Sequence, residues 1–123
     1  MPEAVVTRRV RWSDAAQRDL AEIMDYIDDD SEMNAEGVLA RLQEQAESLA
    51  HFAERARRLP ELRGRKPRQL RDWRELLVRP WRIVFAIEGD AVFVLGVVDG
   101  RRDFRAWLAR RSHVDLSRPN EQE

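Results

Sequence analysis

Val6, Arg8, Val10 and Trp12 alternate with Val5, Thr7, Arg9 and Arg11 at the start of the chain. Period two with β-branched residues predicts a strand. Ser13 follows as an N-cap, with Asp14 in the first turn to favour the helix dipole. Ala16, Leu20, Ile23 and Ile27 then recur at helical spacing and form one apolar face, while Asp19, Glu22, Asp25 and Asp29 line the other. The run Asp28, Asp29, Asp30 sits at that helix's C-terminus, where acids oppose the dipole. Ser31 is a second N-cap candidate. Val38, Leu42, Ala46, Leu49, Phe52 and Ala53 predict a long second helix through about Ala56, with Gly37 weakening its first turn. Two helices joined by so short a loop form an antiparallel hairpin.

The period then changes. Residues 59–67 read as loop, with Pro60, Gly64 and Pro67 among Arg63, Arg65 and Lys66. Three strand-like runs follow: Trp73–Arg79, Trp81–Glu88 and Ala91–Val98. Gly89-Asp90 between the last two is a hairpin turn of the type that places glycine first. The third run is apolar on both faces, which predicts a central strand. After a turn at Asp99-Gly100, Asp103–Arg111 reads as one short helix carrying Phe104, Trp107 and Leu108. Residues 112–123 are polar and read as a flexible tail, so residues 1–111 form the expected single domain. Helices first and hairpin strands after make this an α+β fold. It has an N-terminal strand, a helical hairpin on one face, a three-stranded antiparallel meander completing a small twisted sheet, and a short C-terminal helix.

Composition narrows the function. At 43% hydrophobic and 37% charged residues the chain is too apolar for a disordered one. Its longest uncharged apolar run, Ala91–Val98, is far short of the roughly 20 residues that span a membrane. No basic start followed by an apolar core marks a signal peptide, so no membrane partner and a cytoplasmic location are expected. The absence of cysteine excludes disulfides, thiolate metal sites and a cysteine nucleophile. The net charge of −1 hides an asymmetry. Residues 1–53 carry 5 Arg against 12 Asp and Glu, whereas residues 54–123 carry 17 basic against 11 acidic residues. Lys66 is the sole lysine beside 21 Arg. A GC-rich genome yields that bias by itself, yet the arginine fork also binds phosphate and carboxylate in a way lysine cannot.

Candidate chemistry is sparse. There is no glycine-rich phosphate loop and no Gly-x-Ser-x-Gly elbow, and His51 and His113 lie 62 positions apart. The acids at 28–32 lack the spacing of a calcium loop and read as a solvated helix end, so no metal and no cofactor are expected. Arg74, Arg79 and Arg82 lie on or beside the first two C-terminal strands. Antiparallel pairing brings Arg82 near the Val97–Gly100 end, where Arg101 and Arg102 follow. These arginines form either an anion-binding rim or structural ion pairs with Asp99, Asp103 and Glu75. Trp73, Trp81 and Trp107 serve either as core packing or as stacking platforms.

The order of short motifs resembles the RelE/ParE superfamily of toxins from type II toxin–antitoxin pairs, ParE-like members above all. The resemblance rests on Val10-Arg11-Trp12-Ser13-Asp14-Ala15-Ala16 with Asp19-Leu20-Ala21-Glu22-Ile23, then Pro60-Glu61-Leu62-Arg63, then Arg74-Glu75-Leu76 with Pro80-Trp81-Arg82-Ile83-Val84-Phe85, and finally Val97-Val98-Asp99-Gly100-Arg101-Arg102-Asp103. It spans about residues 5–110 and implies the helix-hairpin-on-sheet fold. It also implies growth arrest, plasmid stabilisation and neutralisation by a cognate antitoxin. RelE-like members cut mRNA on the ribosome, and ParE-like members poison DNA gyrase. The catalytic arginines of the first kind fall on Arg82 and Arg102. The RelE-type tyrosine falls at about Leu108, which transfers no proton, and His113 is the replacement within reach in sequence. The resemblance therefore favours a gyrase-binding toxin that is not an enzyme, contacting its target through Arg74, Arg79, Trp81, Arg82, Arg101 and Arg102. The antitoxin is expected on Leu20, Ile23, Ile27, Trp73 and Leu77. A ribosome-dependent mRNA endonuclease and a non-toxic antitoxin-binding homologue are the alternatives.

Overall fold

The computed structural model describes residues 7–28, 32–62 and 72–115. The first strand, β1 (Arg9–Trp12), leads into α1 (Asp14–Asp28) and α2 (Glu32–Glu47). A one-turn helix α3 (Leu49–Phe52), a 3-10 turn at Ala53–Arg55, a two-residue strand β2 (Arg57–Arg58) and a second 3-10 turn at Pro60–Leu62 follow. The chain then forms β3 (Asp72–Val78), β4 (Trp81–Glu88), β5 (Ala91–Asp99) and α4 (Phe104–Asp115). The five strands make one sheet in the order β1-β5-β4-β3-β2, with β1 parallel to β5 and every other pair antiparallel. This is the expected α+β architecture, with β5 inside the sheet between β1 and β4 and covered on both apolar faces.

Local chemistry sets the boundaries. Ser13 caps α1: its Oγ accepts the Ala16 N–H at 3.0 Å. Among the described residues pairing starts at Arg9, and the Arg8 N–H goes to the Ala50 carbonyl; the start of the expected strand at Val5 and Val6 lies outside the described residues. The long second helix continues from α2 into α3 across Ser48, whose N–H donates to the Glu44 carbonyl and whose carbonyl accepts the Phe52 N–H, both at 3.1 Å. The last turns expected through Ala56 are α3 and the 3-10 turn. Arg79 belongs to the β3–β4 turn with Pro80, and their peptide bond is cis. Gly89 adopts φ 59°, the left-handed region its turn demands. The Ser31 cap, the Arg63–Pro67 loop and residues 116–123 lie outside the described residues.

Two apolar layers sandwich the sheet. On one face Ala16, Leu20, Leu42, Ala46 and Leu49 from the helices pack on Ile83, Phe85, Val92 and Val94. On the other, Phe104, Trp107 and Leu108 of α4 cover Trp73, Val84, Ala86, Leu95 and Val98. The helix read at Asp103–Arg111 therefore closes the second face, and it runs on to Asp115. Asp103 caps it, with Oδ1 accepting the Ala106 N–H. The pairing shifts between Val84 and Phe85, opposite Gly96 and Val94 respectively. Leu95 is thus the extra residue of a β-bulge, and it turns toward α4.

Candidate partner-binding groove

β1 ends at Trp12, opposite Val94, while β5 continues to Asp99. The far half of β5 is therefore a strand edge with no strand beside it among the described residues. Its polar backbone must be satisfied otherwise. Ser13 Oγ donates to the Leu95 carbonyl at 3.1 Å. Asp19 Oδ2 accepts the Val97 N–H at 2.9 Å. Arg111 donates to the Leu95 carbonyl at 3.1 Å and to both Asp19 oxygens at 2.9 and 3.1 Å. This bridge ties α1 to α4 across the edge. Gly96 makes room for it: a Cβ there would lie 2.6 Å from Trp107 and 2.8 Å from Asp19.

Beyond the bridge the edge opens into a groove of about 810 Å³ between α1 and α4. Its apolar surface comes from Ile23, Ile27, Val38, Trp81, Val97 and Val98. Arg18, Arg101, Arg102 and Arg110 stand around it together with Glu22, and all four arginines are exposed. Arg101 is tied to Asp99 by a side-chain fork at 3.0 and 2.6 Å, with the Arg101 N–H adding a bond at 2.9 Å. Those bonds hold the Asp99 carboxyl at about 2, below its ordinary 3.8. Arg18, Arg102 and Arg110 form no ion pair among the described residues. Tyr26, 78% exposed, projects at the same groove. An apolar floor with an arginine rim suits an amphipathic protein segment whose polar side is acidic.

The other expected arginines are internal. Arg82 is buried, with Nε donating to Glu75 at 2.5 Å and its two terminal nitrogens to Glu61 at 3.2 and 3.0 Å. Its guanidinium stacks 3.6 Å from the Phe104 ring centroid. Burial lowers its basicity, but the bonds to Glu61 and Glu75 outweigh that and raise it. Burial likewise pushes the Glu61 carboxyl up, and the Arg82 bonds outweigh this and leave it below the usual value. Glu75 is closed off from solvent and also accepts from Arg57. Arg74 is held by Asp72 and by the Glu54 and Ala56 carbonyls. The ion-pair alternative thus describes Arg82 with Glu75 and Arg101 with Asp99.

Trp81, Arg101 and Arg102 therefore meet at the groove, with Arg79 exposed on the neighbouring turn. Ile23 and Ile27 also line it, but Leu20 is in the helix-side core. Trp73 is buried under α4, and Leu77 is 45% exposed on β3, facing the α4 side of the sheet with its neighbour Arg82. Leu108 is buried in the same layer. His113 lies on α4, and its side chain and the basic residues 63–68 lie outside the described residues. Among the described residues no group of three or more His, Asp or Glu side chains is placed to hold a metal ion. No helix among them is long and apolar enough to cross a membrane. Asp19 and Arg111 escaped sequence reasoning because 92 positions separate them and Asp19 reads as one more acid on a polar helix face.

The sequence profile of the family described as "ParE toxin of type II toxin-antitoxin system, parDE" matches residues 10–104. The chain belongs to this ParE toxin family. Among solved structures it is similar to the chromosomal ParDE TA system from P. aeruginosa, with 20% identity, TM-score 0.59, and coverage of 76% of this chain and 96% of that one. It is also similar to the toxin–antitoxin complex RelBE2 from Mycobacterium tuberculosis, with 20% identity, TM-score 0.55, and coverage of 80% and 97%. At that identity the likenesses speak for the fold. No curated protein matches the sequence. As a family member the chain is a type II toxin–antitoxin toxin, and the matched residues run from Val10 in β1 through the helical hairpin and the rest of the sheet to Phe104, the first residue of α4.

Proposed function

We propose that this toxin acts by binding DNA gyrase and is silenced by a cognate antitoxin, an acidic amphipathic segment of which occupies the α1–α4 groove. The observation that carries the non-catalytic reading is the state of the residues an RNA-cleaving mechanism needs. Cleavage through the 2′-hydroxyl requires a proton carrier and free cations on the phosphate. Arg82 is enclosed by Glu75, Glu61 and Phe104, and the position aligned with the RelE-type tyrosine is a buried leucine, Leu108. Exposed Arg79, Arg101 and Arg102, with Trp81, remain as target contacts, and Ile23 and Ile27 as the antitoxin's apolar seat.

The test is expression of the chain from a regulated promoter, with and without its antitoxin. Growth arrest accompanied by relaxed plasmid and intact mRNA is the expected outcome, and co-expressed antitoxin restores growth. Codon-positioned breaks in ribosome-bound mRNA, with supercoiling unchanged, would replace this reading by the endonuclease. Unimpaired growth would replace it by a non-toxic antitoxin-binding homologue.

A further inference from the structure

A second surface lies across α1 from the groove. The Arg9 N–H donates to Asp90 and the Ser13 N–H to Val94, at 2.9 and 3.0 Å. Backbone groups alternate along a strand, so Val10 and Trp12 turn theirs outward, to the side where the sheet has no further strand among the described residues. The Ala50 carbonyl takes the Arg8 N–H and closes this edge at its start. Directly above the open stretch is a cleft of about 360 Å³ whose lining includes Trp12, Leu20, Met24 and Leu39, with Gln17 and Gln43. No charged side chain lines it.

We propose that the outer edge of β1 receives an extended segment of a partner protein, one that alternates acidic and apolar residues. Pairing fixes the pattern. A residue opposite Val10 or Trp12 shares their face and places its side chain in the neutral cleft, where tryptophan, leucine and adaptable methionine favour an apolar group. Its neighbours fall on the opposite face, beside Arg9 and Arg11. Arg9 is exposed and forms no ion pair among the described residues, so it favours a carboxylate there. The same arginines argue against a second copy as the occupant, because antiparallel β1 edges would bring like charges together. The site is independent of the α1–α4 groove and of the identity of the toxin's target.

The test is titration of the full chain, by amide-resolved NMR, with a capped seven-residue peptide alternating glutamate and leucine. Saturable binding is expected, with the largest shifts at Val10, Trp12, Met24 and Leu39. N-methylation of the peptide leucines, which removes the N–H groups paired with β1 but keeps the side chains, lowers affinity at least tenfold. Arg9→Glu weakens the glutamate peptide and favours its lysine counterpart; this exposed substitution leaves the core intact. Equal affinity for the N-methylated peptide overturns strand pairing. So do shifts confined to the α1–α4 groove, or no saturation. Concentration-dependent self-association that produces the same shifts assigns the edge to a second copy and refutes the proposed partner.

Discussion

Arg82→Ala separates a structural arginine from a target-binding one. In the parent, Arg82 is 10% exposed and its two partners are Glu75, 0% exposed, and Glu61, 20% exposed. Removing one member of a buried charge pair costs about 3–5 kcal/mol, because the other charge is left without compensation. Glu75 keeps Arg57, but that side chain is 60% exposed and only partly compensates, which places the loss near the lower end. The stacking on Phe104 adds about 1 kcal/mol. A net cost of roughly 4 kcal/mol is a large part of the roughly 5–15 kcal/mol that holds a domain folded. At a urea slope of about 1.5 kcal/mol/M it moves the unfolding midpoint by roughly 3 M. Arg102→Ala, exposed and outside any ion pair among the described residues, stays within about 0.5 kcal/mol of the parent. In a double-mutant cycle, Glu75→Ala added to Arg82→Ala costs less than the sum of the two single changes, because no buried charge remains unpaired. Urea unfolding followed by circular dichroism reads all four. An Arg82→Ala protein as stable as the parent but without toxicity would refute the structural assignment.

Gly96→Ala places a methyl group against Trp107 and Asp19 and should cost about 1–3 kcal/mol, with faster amide exchange along α4. Asp19→Ala strands the Val97 N–H and takes the carboxylate from Arg111, which keeps the Leu95 carbonyl; a loss of about 1–3 kcal/mol and rapid exchange at Val97 are expected. Acid stability follows from the lowered carboxyls. Asp99 contributes fully above its ordinary 3.8, and its contribution fades as pH falls through about 2. Glu61 behaves in the same sense, its contribution being complete above 4.5 and lost below. Asp99→Asn should therefore flatten the stability profile between about 4 and 2, measured as urea midpoint against pH.

Much of this fold is legible because its elements have clean periods. The Ala16–Ile27 stripe and the alternation in Ile83–Ile87 each have one solution, and β4 spans the same residues in sequence and structure. Boundaries are less legible, as at Ala53–Arg55, where the end of the second helix tightens into a 3-10 turn that its apolar spacing does not encode. The pairing of Arg82 with Val98 follows from hairpin geometry and its face from alternation with Ile83 and Phe85, but its capture by Glu61 depends on a 3-10 turn whose position no periodicity encodes. The groove was half legible. Ile23, Ile27, Trp81, Arg101 and Arg102 were among the expected contacts, but the Asp19–Arg111 bridge joins residues from the two ends of the chain across a bulge that local pattern does not reveal.

The central claim is that this toxin binds gyrase and is not itself a nuclease. Supercoiling of relaxed plasmid by purified gyrase and ATP, with and without the folded protein, tests it most directly. The account predicts loss of supercoiling or accumulation of gyrase-trapped cleaved plasmid, both relieved by charge reversal at Arg101 and Arg102. Supercoiling that continues unchanged at saturating toxin, with the same preparation cutting mRNA on ribosomes, would contradict it.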